Sequence, residues 1–233
     1  MIATTRSQQR LLNGIVLLVL IAGIIIALAP LMYMVSTAFK SNAYVQEYPP
    51  RFIPENPTFE NFTTAFNSRN FARALLNSAG VAIATSVVVT TLASMMAYSF
   101  ARFEFRGKKV IFAGLLIMLM IPGVVLLIPQ FILAKSLGLL NSLPGLVLVY
   151  SAGPLAFNTF LMRGFLESLP REIEESAIID GANAFTVFWR VMMPLAAPAV
   201  STVAVFSFLG AWDEYLLALN FLTNENLRTL PIA

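Results

Sequence analysis

An all-α integral membrane protein, with five helical spans and a short cytoplasmic coupling helix, is the fold class this sequence predicts. Three observations carry the prediction. Hydrophobic residues make up 58% of the 233 and charged residues 12%, against about 45–50% and about 25% in soluble domains. The apolar residues gather in five runs whose interiors hold no Asp, Glu, Lys or Arg. Between the last two runs lies Pro170 to Pro198, the only long, charged, helix-forming stretch, with Glu172, Glu174, Glu175 and Asp180 in its first half.

Composition also excludes function classes. The mean hydropathy of +0.78 sets soluble enzymes aside. A net charge of +3 does not point to nucleic acid, because the basic residues stand at the ends of the apolar runs and report topology. The chain has no Cys and no His. Disulfide and thiolate chemistry are therefore absent, and the commonest metal ligands and proton shuttle with them. No metal site is expected.

The first span is expected from about Leu11 to Ala38, since about 20 apolar residues cross a bilayer. Arg6, Arg10 and the later Ala27-Leu28-Ala29 have the layout of a signal peptide. The run is longer than a signal's apolar region of about 7–15 residues, and Pro30 would follow the cut. It reads as an uncleaved span. Residues 40–73 then form an outer loop with Pro49, Pro50, Pro54 and Pro57, a density that precludes a long helix. A short helix is expected within 56–68, with Thr58 as its N-cap and Glu60 in its first turn.

The second span is expected from about Leu75 to Phe100 and carries Thr85, Ser86, Thr90, Thr91 and Ser94. Such hydroxyls let membrane helices approach and bond closely, or they line a hydrophilic passage; the sequence leaves both open. A tight, basic turn follows, with Arg102, Arg106, Lys108 and Lys109 against Glu104. The third span, about Val110 to Leu133, contains Pro122 and Pro129 and is expected to be kinked. The fourth runs from about Gly145 to Met162 and holds Pro154 and Asn158, and the fifth from about Val191 to Leu209. Trp212 and Tyr215 beyond it fit an aromatic belt. Placing the N-terminus inside puts nine of the 15 Lys and Arg in the cytoplasm, including the whole basic turn. Residues 163–190 are then cytoplasmic.

Within 163–190, Pro170 suits the start of a helix, and three glutamates sit in or near the first turn, where the helix dipole favours them. Gly181 after Asp180 looks like a left-handed terminator. A helix of about ten residues is expected, with Ile173, Ser176 and Ala177 on one face. A helix lying on lipid headgroups would prefer bulky apolar and basic residues. This one is acidic, so a protein partner is the better inference.

The spacing here resembles a known family. Glu175-Ser176-Ala177, three residues, Gly181, nine residues, then Val191-Met192-Met193-Pro194 is similar to the EAA loop of binding-protein-dependent ABC importer permeases. Ser176, Val191 and Met193 depart conservatively from the family pattern, while Glu175, Ala177, Gly181 and Pro194 match; Asp180-Gly181-Ala182 also resembles its D-G-A. Ala97-Tyr98 through Arg102, Leu137-Gly138-Leu139-Leu140-Asn141 and Phe208 through Leu217 resemble the carbohydrate branch, the maltose permease G subunit type. Members of that family have six spans; the sixth is expected beyond Ala233, with an unusual short form as the alternative.

The resemblance implies a non-catalytic permease subunit in a bacterial inner membrane. Its helix would seat in a separate ABC ATPase subunit, which binds the ATP and magnesium. It further implies a second permease, as a heterodimer, and an extracytoplasmic solute-binding protein. Glu175, Ser176, Ala177, Asp180, Gly181 and Pro194 are the coupling residues implied, although Glu175 also suits the helix dipole alone. Thr85, Tyr98, Asn158 and Tyr215 are candidates for the substrate pathway, with packing as the alternative. The branch implies a sugar, an oligosaccharide or a sugar-alcohol phosphate as substrate. No nucleotide loop of the G-x-x-x-x-G-K-[ST] type occurs in the chain itself. The chief rival is a gradient-driven transporter, which usually needs ionisable residues inside its spans. A structural subunit would leave the loop spacing unexplained. A membrane enzyme lacks His, Cys and paired intramembrane carboxylates.

Overall fold

Prolines and glycines divide the apolar runs into helices of unequal length in the computed structural model, which describes residues 6–67 and 70–233. Among these residues no strand occurs. By internal contacts the chain forms two units, Met1–Arg69 and Asn70–Ala233, where the sequence reading treats it as one domain.

The first unit holds α1 (Arg6–Ala38) and α2 (Glu60–Asn67). Pro30 lies inside α1 without ending it. The proline-rich loop folds back on the end of that helix. Asn61 Nδ2 donates to the carbonyls of Ala38 (3.0 Å) and Lys40 (2.6 Å), which satisfies orphan acceptors at the helix end. Phe39, Phe59 and Phe62 cluster with ring centroids 5.2–6.1 Å apart. Glu60 N–H donates to Thr58 Oγ1 at 3.1 Å, the cap the sequence predicts.

The second unit is built on α3 (Phe71–Arg102), which packs against α6 (Leu143–Ala152), α7 (Leu155–Ser168) and α11 (Ala197–Trp212). Its buried face carries Ala82, Ala93 and Ala97 with Val89 between them, and small residues of this kind let helices approach closely. Ser86 Oγ donates across to the Ala204 carbonyl at 2.7 Å, and Asn158 Nδ2 donates to Ser207 Oγ at 3.2 Å, binding α7 to α11. One apolar cluster gathers at Tyr98, Met162, Leu166, Phe188 and Met192, and a second at Val81, Leu146, Tyr150, Ala218 and Phe221.

Helix 9–38 and helix Phe71–Arg102 are each long and apolar enough to cross a bilayer alone. Three further pairs pass that test only together and are bent. The expected third span, 110–133, is two helices, α4 (Lys108–Met118) and α5 (Gly123–Ser136), meeting at 104°. Pro122 is extended there, with ψ 127°, whereas Pro129 sits inside α5 without a break. The fourth, 145–162, is α6 and α7 at 54°, and α7 continues past Arg163 to Ser168. The fifth departs most from 191–209. Residues 191–195 belong to a preceding segment, Ala184–Leu195, which meets α11 at 82°.

Close backbone approach makes one glycine indispensable. Ser142 Oγ accepts the Gly145 N–H at 3.1 Å and caps α6, bringing the Leu139 carbonyl to 2.1 Å from where a Cβ on Gly145 would lie. Gly145→Ala is expected to cost about 2 kcal/mol through overpacking, read as a fall in the thermal unfolding midpoint. Asn141, at φ 52°, holds the tail to this corner. Its Oδ1 accepts from the N–H groups of Thr223 (2.6 Å) and Asn224 (3.1 Å). The tail then runs along the start of α3, where Asn77 Nδ2 donates to the Arg228 carbonyl at 2.9 Å.

Candidate functional site

Leu169 leaves α7 in an extended conformation, and after Pro170 the chain enters α8 (Glu172–Ile179), with Glu172, Glu174 and Glu175 in the first turn. The helix ends as its sequence demands. Gly181 adopts φ +90°, its N–H donates to the Ile178 carbonyl at 2.9 Å, and the Ala182 N–H reaches the Ala177 carbonyl at 3.0 Å. That pair of bonds is a Schellman ending, which satisfies carbonyls otherwise left orphaned. Asn183 Oδ1 then accepts the Thr186 N–H at 2.8 Å and starts the return segment. This consists of α9 (Ala184–Thr186), a π-helical stretch (Val187–Met192) and α10 (Met193–Leu195). Met193 N–H bonds the Phe188 carbonyl, five residues back, as a π turn requires.

α8 has two unlike sides. Ala177 and Ala182 pack on the cluster of Leu166, Val187 and Phe188. Glu175, Ser176, Ile178, Ile179 and Asp180 face away and are exposed, with Ile179 at 85%. Of the residues the sequence singles out, Glu175, Ser176, Asp180 and Gly181 thus share one exposed surface. Ala177 supports it from beneath. Pro194 stands apart, exposed in α10 at the bend into α11. The expected face of Ile173, Ser176 and Ala177 is split, since Ser176 is exposed while the other two are half-buried.

The residue the sequence reading missed is Glu174. Its side chain is 11% exposed and ion-paired through Oε1 to Arg102 Nε, whose own side chain is 6% exposed. Tyr98 OH donates to Glu174 Oε2 at 3.1 Å, and Arg102 Nη2 donates to the Leu169 carbonyl at 3.0 Å. The last two turns of α3 therefore hold both the α7–α8 junction and α8 itself. The one signal in the sequence is the i, i+4 spacing of Tyr98 and Arg102, which puts both on one face of α3.

A cleft of about 380 Å³ opens beside this assembly. Ser86, Thr90, Thr91 and Ser94 of α3 form one wall, and Trp189, Met193, Val200 and Ser201 form the other. Ser86 borders this cleft while also bonding across to α11. Thr85 and Asn158 are fully enclosed by packing and do not line the cleft. Tyr98 is buried and donates to Glu174, and it does not line this cleft either. Tyr215 is exposed at the far end of α11, before α12 (Leu216–Phe221). A second cleft of about 500 Å³ lies where α4 and α5 part, with Gln130, Tyr150 and Glu214 among its polar groups.

Comparison with known proteins identifies this architecture. Residues 89–233 match the family model described as binding-protein-dependent transport system inner membrane component. This chain belongs to that family. The permease is 35% identical to a diacetylchitobiose uptake system permease of Streptomyces coelicolor over 220 residues, 94% of this chain and 72% of that one. It is 33% identical to a galactooligosaccharides transport system permease of Bacillus subtilis over 231 residues, covering 97% and 80%. Its structure resembles a bacterial ABC transporter involved in the import of the polysaccharide alginate, with a TM-score of 0.81 and 26% identity over all of this chain and 80% of that one. Family membership makes it a transport component without catalytic activity of its own, and it displaces the gradient-driven transporter as a reading.

Proposed function

We propose that the permease is one of two membrane subunits of an ATP-driven importer for a sugar or oligosaccharide. In this reading the N-terminus and α8 are cytoplasmic and each bent helix pair crosses the membrane once. A separate ATPase subunit binds ATP and magnesium and seats the exposed side of α8. The observation that carries the proposal is that surface. Glu175, Ser176, Ile178, Ile179 and Asp180 project from a helix with a capped end and an inner side bound to α3. Exposed isoleucines flanked by carboxylates suit a protein groove with basic residues, whereas anionic headgroups would repel them. A second permease completes a heterodimer, and a solute-binding protein delivers the substrate. A carbohydrate is supported by the relatives named above.

The test is uptake of labelled di- and oligosaccharides by proteoliposomes holding the complete complex and its binding protein. Uptake is expected to require enclosed ATP and to survive collapse of proton and sodium gradients. Uptake that follows a gradient and ignores ATP sinks the proposal.

A further inference from the structure

We infer that Arg102, Glu174 and Tyr98 form a latch through which α8 moves α3, so that both walls of the hydroxyl-lined cleft follow one helix. The inference rests on the proposed function, in which a partner displaces α8. One wall is tied to α8 by the chain itself, since Trp189 and Met193 lie on the return segment from Gly181. The other wall, α3, is remote from α8 in sequence, Tyr98 and Glu174 being 76 residues apart. Displacement reaches it through side-chain contact.

The latch is suited to that task. Each oxygen of the Glu174 carboxylate has its own partner on α3, the Arg102 guanidinium paired by charge at Oε1 and the Tyr98 hydroxyl donating a hydrogen bond to Oε2, so the carboxylate is held at two points. With both charges nearly enclosed, opening the pair would leave a buried ion uncompensated. Moving α8 and the end of α3 as one body avoids that cost. Arg102 also holds the Leu169 carbonyl, so the α7–α8 junction travels with them.

The contact is continuous with the cleft. Ser86, Thr90, Ser94, Tyr98 and Arg102 follow one another at intervals of four, an inclined ridge along the unbroken helix α3. About 24 Å of helix joins its ends. The Tyr98 ring meets Phe188 of the π-helical stretch at 5.2 Å, and Phe188 meets the cleft residue Trp189 at 5.0 Å. Tyr98 thus stands one turn along α3 from the wall residue Ser94 and one ring away from the opposite wall at Trp189.

The test compares substrate transported per ATP hydrolysed in proteoliposomes of the complete complex. Arg102→Gln with Glu174→Gln removes both charges together, which avoids an unpaired buried ion, and Tyr98→Phe removes only one donor. The double variant is expected to retain its ATPase subunit and lose about tenfold in transport per ATP. Tyr98→Phe is expected to lose about fivefold, and Arg102→Lys to recover part of what Arg102→Gln alone loses. If the double variant and Tyr98→Phe both transport at the parent's ratio, the latch is overturned. It is equally overturned if the double variant's only defect is loss of the ATPase subunit, since the pair then merely shapes α8 for docking. A parent complex without ATP-driven uptake fails the proposed function instead.

Discussion

Gly181→Pro strips the ATPase subunit from the purified permease and leaves its remaining helices folded; this is the expected result. Gly181 has φ +90° and no atom within 4 Å of where a Cβ would lie, so space is not the constraint. Conformation is. Proline fixes φ near −65° and has no N–H, so the substitution forbids the left-handed turn and deletes the bond to the Ile178 carbonyl. A change of this kind costs about 3 kcal/mol or more. It falls where α8 hands over to Asn183, so the exposed surface of Glu175 to Asp180 loses its geometry. Gly181→Ala keeps the N–H and bears only a left-handed penalty of about 1–2 kcal/mol. Its ATPase recovery should lie between those of the parent and Gly181→Pro. Full recovery with Gly181→Pro contradicts α8 as the docking element.

Arg102→Ala is expected to be strongly destabilising. It leaves the Glu174 carboxylate buried without its cation and frees the Leu169 carbonyl. Breaking a buried pair in this way costs about 3–5 kcal/mol, a fall in unfolding midpoint on the order of 10 °C. Removing both partners is milder, because no unpaired charge remains. Arg102→Ala with Glu174→Ala should therefore unfold at a higher temperature than Arg102→Ala alone. Equal midpoints for the two would show that the ion pair contributes nothing beyond the bulk of the arginine.

The contrast between Gly181 and Glu174 shows which features are legible in sequence. Gly181 was readable because its role is local. A glycine after an acidic helix start has few other uses, and the turn's two bonds, Gly181 N–H to Ile178 and Ala182 N–H to Ala177, are both local. Glu174 was not, because periodicity places a side chain on a face without naming what lies opposite, and its partners stand on α3. Arg102 read as a marker at the end of a span and proved to be an anchor.

The bends divide in the same way. Pro122 and Pro129 both announced a kink, yet the chain breaks only at the first, with the 104° turn there. Proline marks where a helix gives way easily, and tertiary packing decides whether and how far it does. The apolar residues 191–195 looked continuous with the fifth span because hydrophobicity alone does not register a π-helical stretch or the 82° bend at Ala196. The candidate pathway residue Thr85 and its neighbours on α3 differ in surroundings. Ser86, Thr90, Thr91 and Ser94 open on the cleft, whereas Thr85 points into packing.

The most direct test of the central claim is to purify the tagged permease in mild detergent and identify every chain that accompanies it by mass spectrometry. An ATP-binding subunit and a second permease, both present with the parent and the ATP-binding subunit depleted with Gly181→Pro, are the predicted result. A permease that purifies alone or only with copies of itself contradicts the claim that α8 couples these helices to ATP hydrolysis.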